Sequence, residues 1–336
     1  MSRSRSTLDL AVVGAGPCGL AVGVAAHQAG LTCTLLDKGC ITRSLTLYPR
    51  DMRFFSTAER LELGNVPFTS AADKPSRKEA LRYYRRIVQH FELDVRQYEE
   101  VLELAAEPVA FRLGSRTRAG AQRETRARNV VIATGYFDTP NLLQIPGEDL
   151  ANVLHYYQEP EPFFGQRCVV IGGGNSAVDA ALELYRSGAA VHLVHFAGGL
   201  DPGVKPWVLP DIMNRIGTGE IEVSWRTRVQ EIGMDYVVLR SEPSGVVRRL
   251  ANDWVFAMTG YRNDPTLLRS VGVDIDPDTG KPVHDPETME TNVPGVFIAG
   301  VIAAGCDANK IFIENGRLHG GQIVDAIRRR VSAASA

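Results

Sequence analysis

Cysteine is scarce in this chain, and no two cysteines form a Cys-x-x-Cys pair. Five cysteines are spread over 336 residues, at positions 18, 33, 40, 168 and 306. An odd number without close spacing argues against a disulfide framework and against a zinc site of the usual spacing. We therefore expect a protein of a reducing compartment, the cytoplasm, that binds no metal.

Long apolar runs and an excess of one charge are also missing. No run approaches the roughly 18 apolar residues that a membrane span needs, and 37 basic against 39 acidic residues leave a net charge of −2. Neither a membrane nor a nucleic acid is therefore expected as a partner. Arg3 and Arg5 ahead of an apolar stretch imitate a secretion signal, but Asp9 and the glycines that follow interrupt it.

Glycine, by contrast, is arranged in two dinucleotide-binding fingerprints. Each follows an apolar run, Leu10–Val13 or Cys168–Ile171, and opens a helical pattern, which is the context such a motif requires. The glycines permit a tight turn and let the backbone approach a pyrophosphate at the helix N-terminus. The two motifs are Gly14-x-Gly16-Pro17-x-Gly19 and Gly172-x-Gly174-Asn175-Ser176-Ala177. Two such loops predict two bound dinucleotides and, most simply, hydride transfer between them.

The elements around the first fingerprint predict a complete βαβ unit. Strand Leu10–Val13, helix Cys18–Ala29 and strand Thr32–Asp37 follow one another. Asp37 closes the unit, at the position where an acid accepts hydrogen bonds from the adenosine ribose. The alternative is that Asp37 is a solvated strand end.

The chain repeats this architecture, which predicts an α/β fold with two Rossmann-like dinucleotide-binding domains. Strands Val130–Tyr136 and Trp254–Tyr261 each contain a Thr-Gly pair near their end. A third such strand, Gly295–Gly300, and a final helix, Phe312–Arg329, come after the second unit. The second domain is therefore expected as an insertion in the first. Residues 1–162 and 265–336 would form the FAD-binding domain and residues 163–264 the NAD(P)H-binding domain.

These motifs resemble the low-molecular-weight thioredoxin reductases, flavoproteins with two dinucleotide-binding domains. The resemblance covers nearly the whole chain and includes, besides the two fingerprints, Ala133-Thr134-Gly135 and the stretch Pro294–Gly300. It implies FAD in the first unit and NADPH in the inserted one.

A second set of strings resembles the bacillithiol disulfide reductase family more closely. Cys18 inside the first fingerprint fits that pattern, and so does Val301, where thioredoxin reductases have an aspartate. The strings are Tyr48-Pro49, Phe54–Thr57, Gly64-x-Val66-Pro67-Phe68, Val204–Trp207 and Ile311–Gly316. The resemblance implies an enzyme with FAD and NADPH that reduces a low-molecular-weight disulfide.

Candidate cofactor-binding residues follow from the fingerprints, the Thr-Gly pairs and the resemblance. The apolar loop Ile41–Pro67 is expected to be buried, either against a flavin face or simply in the core, and Arg77–Phe91 is predicted as an amphipathic helix. The candidates in the expected FAD-binding domain are Gly14, Gly16, Pro17, Gly19, Asp37, Lys38, Tyr48, Phe55, Ser56, Thr134, Gly135, Gly300, Val301, Lys310 and Ile311. Those of the inserted domain are Gly172, Gly174, Asn175, Ser176, Ala177, His195, Lys205, Thr259 and Gly260.

The second nucleotide site departs from its relatives at the end of strand Val191–Phe196. No Asp or Glu stands there, which disfavours NAD because its ribose hydroxyls need an acid. Relatives usually carry His-Arg, which suits the 2′-phosphate of NADP, whereas this chain has His195-Phe196. Lys205 either supplies the missing charge or is a solvated surface lysine. We expect NADPH, with a weaker preference over NADH than in those relatives.

Cys18 is the candidate catalytic thiol. Thioredoxin reductases use a Cys-x-x-Cys pair in the inserted domain, and its absence argues against thioredoxin as the substrate. Cys18 stands in the first turn of a helix, whose positive end lowers a thiol pKa, whereas a nearby pyrophosphate raises it. The alternative is a small residue that fills a tight turn. Cys306 is a second candidate, while Cys33 and Cys168 are interpreted as core residues.

The start of the final helix, Lys310–Gly316, is expected to direct backbone N–H groups toward the flavin pyrimidine. Glu314 in this turn either relays a proton or is an ordinary first-turn carboxylate.

The chain is expected to form a homo-oligomer, either a dimer or a tetramer.

Three other functions stay open as alternatives to a disulfide reductase. A flavin monooxygenase would need a Phe-x-Gly-x-x-x-His motif, but Asp149 and Ala151 stand six and four residues before His155. A ferredoxin–NADP reductase of this type carries an aromatic residue in a C-terminal extension, and nothing aromatic follows Phe312. A non-catalytic FAD-binding redox sensor would not need the second fingerprint.

Overall fold

The chain folds into two compact units, each of which combines a parallel sheet with helices and an antiparallel meander. The computed structural model describes residues 7–307 and 310–334. The first unit comprises Met1–Thr46, Met52–Thr139 and Arg262–Ala336, and the second comprises Leu47–Asp51 and Pro140–Tyr261. The predicted α/β fold with two nucleotide-type units is confirmed.

The first unit is built on a seven-stranded sheet in the order β3-β2-β1-β6-β5-β4, with β15 also paired to β6. The first half of β6 pairs with β5 in antiparallel register, and its second half pairs with β1 and β15 in parallel. The strands are β1 Leu8–Val13, β2 Cys33–Asp37, β3 Asp94–Gln97, β4 Glu99–Glu107, β5 Ala110–Thr117, β6 Gln122–Ile132 and β15 Val296–Ile298. Strands β1 and β6 are fully buried at their carboxyl ends, as parallel strands covered on both faces require.

The helices of the first unit are α1 Pro17–Gln28, α2 Arg43–Thr46, α3 Arg77–His90, α6 Thr266–Ser270, α7 Ile313–Gly316 and α8 His319–Ala334. The predicted helix Arg77–Phe91 is confirmed as α3. It begins at Ser76, whose side chain accepts from the Glu79 N–H while the Glu79 carboxylate accepts from the Ser76 N–H. Such a capping box stabilises a helix start by about 1 kcal/mol.

The final helix was predicted as one piece, Phe312–Arg329, and that prediction is wrong. The chain forms the short α7 and then α8, with a break at residues 317–318. At the break the Leu318 N–H bonds the Asn315 carbonyl, one residue nearer than an α-helix requires. This tighter turn separates the two helices.

The second unit has a five-stranded parallel sheet, ordered β10-β9-β8-β14-β7, and a separate antiparallel meander β11-β12-β13. Its parallel strands are β7 Val153–Leu154, β8 Arg167–Ile171, β9 Ala190–Val194, β10 Glu222–Ser224 and β14 Trp254–Ala257. The meander consists of β11 Thr227–Ile232, β12 Tyr236–Ser241 and β13 Val247–Ala251, and the helices are α4 Asn175–Arg186 and α5 Leu209–Gly217.

The division between the units differs from the expected one at its first crossing. Residues 140–162 were expected in the FAD-binding domain, but they belong to the second unit. The reason is local pairing: β7 extends the second sheet beside β14, and the Asn152 amide donates to the carbonyls of Gly233 and Met234, each at 3.2 Å. The second crossing, after Tyr261, lies close to the expected position.

Candidate functional site

The first fingerprint forms a tight turn against the carboxyl end of β6. Gly14 has a φ of +109°, and a Cβ added there would collide with the Ala133 carbonyl. A Cβ on Gly19 would collide in turn with the Gly14 carbonyl. The Thr134-Gly135 pair continues from Ala133, and Gly135 has a φ of +71°. Only glycine fits at these closest approaches, which leaves the loop backbone open to a pyrophosphate.

Asp37 at the end of β2 holds this loop through both carboxylate oxygens. It accepts from the Ala15 N–H and from the Gly39 N–H, each at 2.7 Å. Burial raises its pKa, and the nearby Asp138 acts in the same direction, whereas the two backbone bonds oppose the rise. Lys38 Nζ pairs with Asp138 Oδ2 at 2.7 Å. Asp37 therefore positions the fingerprint; contact with a ribose stays a prediction.

In the second unit, the first glycine of the second fingerprint again lies close to the carbonyl that precedes a Thr-Gly pair. Gly172 has a φ of +141°, and a Cβ there would collide with the Met258 carbonyl, just before Thr259-Gly260. Gly174 caps α4, and Ala177 is fully buried. Ser176 on the first turn of α4 is exposed. The Thr259 hydroxyl donates to the Asn141 carbonyl at 2.5 Å.

Asn175 fixes the loop that carries Lys205. Its Nδ2 donates to the Gly203 carbonyl at 2.9 Å, and its Oδ1 accepts from the Lys205 N–H at 3.0 Å. The Lys205 ammonium lies 6.0 Å from the centre of the Trp207 ring. The fingerprint asparagine therefore acts on the adjacent loop, a role that the motif alone does not reveal.

His195 lies beneath the second fingerprint, not on its surface. Only 2% of its side chain is exposed, and a Cβ on Gly173 would lie 2.5 Å from its Nε2. Nε2 is 3.3 Å from Asp201 Oδ1, without the geometry of a hydrogen bond. Because so little of His195 is exposed, its ring packs against the fingerprint loop, and its predicted role in cofactor binding stays a prediction. Asp201 lies beside the fingerprint loop as well, although no acid stands at the strand end in the sequence.

The Cys18 thiol lies between two glycines that come from distant parts of the chain. A Cβ on Gly300 would lie 3.0 Å from the sulfur, and one on Gly316 would lie 2.8 Å from it. The residue as a whole is half-buried. Burial of the thiol raises the pKa of Cys18 to about 12. Desolvation therefore opposes the lowering of this pKa that the helix start was expected to bring.

The start of α7 contains a polar contact that the sequence left undecided. The Ser56 hydroxyl donates to Glu314 Oε2 at 2.6 Å, and Arg60 Nη1 lies 3.7 Å from the same oxygen. Phe55, next to Ser56 in sequence, is 39% exposed. Tyr48, in contrast, belongs to the second unit, so the expected loop Ile41–Pro67 is divided.

His319 is a site residue that sequence reasoning missed. Its Nδ1 accepts from the Gly300 N–H at 3.1 Å, beside the Cys18 pocket. Burial lowers the pKa of His319 to about 4, and His284 contributes to the shift. Gly300 begins a 3₁₀ helix that includes the half-buried Val301. A lone histidine after Arg317-Leu318 carries no sequence signal that would single it out.

Further predicted residues and cysteines are described by their burial and their ion pairs. Lys310 pairs with Asp307 at 3.1 Å, and Ile311 is half-buried. Cys168 is buried and Cys306 exposed, and burial raises the pKa of Cys33 and of Cys168 to about 12. Within residues 7–307 and 310–334, no three His, Cys, Asp or Glu side chains cluster as a metal site. No helix in those ranges is long and apolar enough to cross a membrane.

Comparison with known proteins identifies the family. Residues 11–300 match the family model for pyridine nucleotide-disulphide oxidoreductases. Bacilliredoxin reductase Bdr of Bacillus subtilis is 43% identical over 95% of this chain and 97% of its own. The chain belongs to the bacillithiol disulfide reductase (Bdr) family.

Solved structures of the Bdr family agree with this assignment. Bacillithiol disulfide reductase Bdr (YpdA) from Bacillus cereus superposes with a TM-score of 0.94 at 41% identity, covering 97% of this chain and 100% of that one. The Staphylococcus aureus protein gives a TM-score of 0.89 at 38% identity, covering 97% and 99%. Family membership implies an oxidoreductase that uses FAD and NAD(P)H.

The residues present fit two dinucleotides. In each unit a glycine of positive φ, Gly14 or Gly172, faces the carbonyl that precedes a Thr-Gly pair. Each of these two glycine turns, called a cradle below, has no room for a Cβ, as the first glycine of a dinucleotide-binding fingerprint requires for its tight turn. The same glycine turn in both units fits an enzyme of the Bdr family, which binds two dinucleotides.

Proposed function

We propose that this protein is a flavin-dependent NADPH oxidoreductase that reduces a low-molecular-weight disulfide of the bacillithiol type. The observation that carries the proposal is the pair of equivalent cradles at Gly14 and Gly172, one in each unit. Gly14, Asp37 and Ser56 would hold FAD in the first unit, and Gly172 and Asn175 would serve NADPH in the second.

Cys18 would cleave the substrate disulfide. Its thiolate would attack one sulfur, form a mixed disulfide and release the first thiol as the leaving group. When bound, NADPH and FAD supply the two electrons that the mixed disulfide needs to release the second thiol. The covered position of the sulfur raises its pKa to about 12, so the proton on Sγ must be removed before the attack.

A preference for NADPH over NADH is supported by the two residues that follow β9. His195-Phe196 offers no carboxylate to ribose hydroxyls. Asp201 nevertheless lies 3.3 Å from His195, and its negative charge would oppose a 2′-phosphate. We therefore expect a preference that is weaker than in relatives with His-Arg.

Anaerobic flavin reduction tests this proposal. The purified protein should be yellow, carry about one FAD per chain, and lose its flavin absorbance faster with NADPH than with NADH. A colourless protein that ignores added FAD would contradict the proposal as a whole. Equal or faster reduction by NADH would contradict the NADPH preference alone.

The oligomeric state is a separate part of the proposal. We infer a homo-oligomer, a dimer or a tetramer, and light scattering of the FAD-loaded protein measures it. A monomer at micromolar concentration would contradict this part and leave the redox chemistry untouched.

A further inference from the structure

The chain that follows β9 is paired with the chain that follows β10. The His195 N–H donates to the Ser224 carbonyl at 3.1 Å, and the Thr227 N–H donates to the His195 carbonyl at 3.0 Å. The Arg226 N–H then donates to the Ala197 carbonyl at 2.9 Å. Arg226 is thereby fixed beside the loop that leaves the carboxyl end of β9.

The Arg226 guanidinium is exposed and directed along this loop. A Cβ added to Gly198 would lie 3.1 Å from Arg226 Nε. Within the described ranges Arg226 has no ion-pair partner, whereas Arg228 contacts the Glu242 carboxylate. Arg228 also stacks over the Phe196 ring, with its guanidinium carbon 5.0 Å from the ring centre. Arg226 therefore carries a positive charge that no neighbouring carboxylate neutralises.

At this location a dinucleotide-binding unit distinguishes NADP from NAD. β8, α4 and β9 form the βαβ unit of the second fingerprint, so β9 is its second strand. In this fold the adenosine 2′ position lies at the carboxyl end of that strand, close to the fingerprint. The His195 ring packed against Gly173 shows that the two features meet here.

We propose that Arg226 is the residue that recognises the 2′-phosphate of NADPH. A guanidinium binds phosphate oxygens through two parallel N–H groups, and this geometry does not depend on which strand supplies the arginine. Arg226 would thus provide, from the turn between β10 and β11, the cation that Phe196 cannot provide. The inference rests on the NADPH preference proposed above and does not involve the disulfide substrate.

Binding of adenosine fragments tests the inference without turnover. Calorimetry of the FAD-loaded full-length protein should give a lower dissociation constant for 2′,5′-ADP than for 5′-AMP. Arg226→Gln should weaken 2′,5′-ADP binding by about tenfold or more, since a charge-assisted phosphate bond is lost. It should change 5′-AMP binding by less than about twofold, because only the 2′-phosphate contact is removed.

Arg186→Gln is the matched control. It removes the same charge from the last residue of α4, about 16 Å along the helix from the fingerprint at its first turn, and should change neither constant. In the double variant Arg226→Gln with Phe196→Arg, a new arginine at the strand end should restore 2′,5′-ADP binding.

The outcomes separate the two claims. A parent protein that binds 2′,5′-ADP and 5′-AMP equally would overturn both the NADPH preference and the role of Arg226. A parent that discriminates, with an Arg226→Gln variant that discriminates equally well, would overturn only the role of Arg226. Equal losses for both fragments in the variant would also overturn it, because specificity would then be unchanged.

Discussion

The Cys18 sulfur lies against the backbone of Gly316, so close that an added Cβ would come within 2.8 Å of it. Gly300 covers the sulfur from another element, and the His319 imidazole accepts from the Gly300 N–H. The thiol is therefore enclosed by parts of the chain that lie nearly 300 residues away from it in sequence. This enclosure explains its raised pKa and makes the glycines part of the thiol's environment.

Replacing Gly316 with Ala should destabilise the protein through the Cys18 sulfur. The new methyl has no room, and overpacking of this kind costs about 1–3 kcal/mol. Urea unfolding measures the loss. In a Cys18→Ala background the same substitution should cost less, because the sulfur is gone. Gly321→Ala on α8 is the control: its methyl would meet open space, and stability should be unchanged or slightly raised. Equal costs with and without the sulfur would show that the contact is not the cause.

Cys18→Ala should separate the two half-reactions. Flavin reduction by NADPH should stay within about twofold of the parent, because hydride transfer belongs to the cofactors. Reduction of bacillithiol disulfide should fall by about 100-fold or more, since no thiolate remains to form the mixed disulfide. Cys306→Ala, which removes an exposed cysteine, is the control. Parent-like disulfide turnover in the Cys18 variant would make Cys18 only a small residue in a tight turn.

Alkylation of Cys18 should accelerate with pH far into the alkaline range. The pKa is raised to about 12, so in the free enzyme at neutral pH nearly all of the thiol carries its proton and should be alkylated slowly. Between pH 7 and pH 10 the thiolate fraction, and with it the rate, should grow by about tenfold per pH unit. Mass spectrometry of the Cys18 peptide after iodoacetamide treatment measures this rate. A plateau near pH 7 would instead indicate a thiolate activated by the helix start.

Gly14→Ala and Gly172→Ala should have opposite phenotypes, and each is the control for the other. Both place a methyl against a carbonyl at a φ that disfavours any side chain. Gly14→Ala should yield protein without bound FAD, measured by absorbance. Gly172→Ala should remain yellow but be reduced by NADPH at least about tenfold more slowly, because the methyl pushes the pyrophosphate loop away from the Met258 carbonyl. Loss of FAD from both variants would contradict the division of labour between the units.

The sequence was most informative where backbone geometry forces a residue type. Gly14 and Gly172 are required by close approaches, so both fingerprints and the strands before them could be predicted. Cys18 and His195 could not be understood in the same way, because their burial depends on Gly300, Gly316 and Gly173 folding over them. Burial by residues distant in sequence leaves no local pattern.

Boundaries were predicted less well, for the same physical reason. The two-residue strand β7 belongs to the second unit only because it pairs with β14, about a hundred residues later. The break between α7 and α8 depends on one carbonyl bonding a nearer N–H, and no proline marks it. Short elements defined by pairing have too little periodicity to be seen in sequence.

Reoxidation of the reduced enzyme is the most direct test of the central claim. The FAD-loaded protein is reduced anaerobically with one equivalent of NADPH, and bacillithiol disulfide is then added in a stopped-flow spectrometer. We predict that flavin absorbance returns at a rate that depends on disulfide concentration, with two thiols released for each flavin reoxidised. A flavin that stays bleached with the disulfide, yet recovers at once with oxygen, would contradict a disulfide reductase.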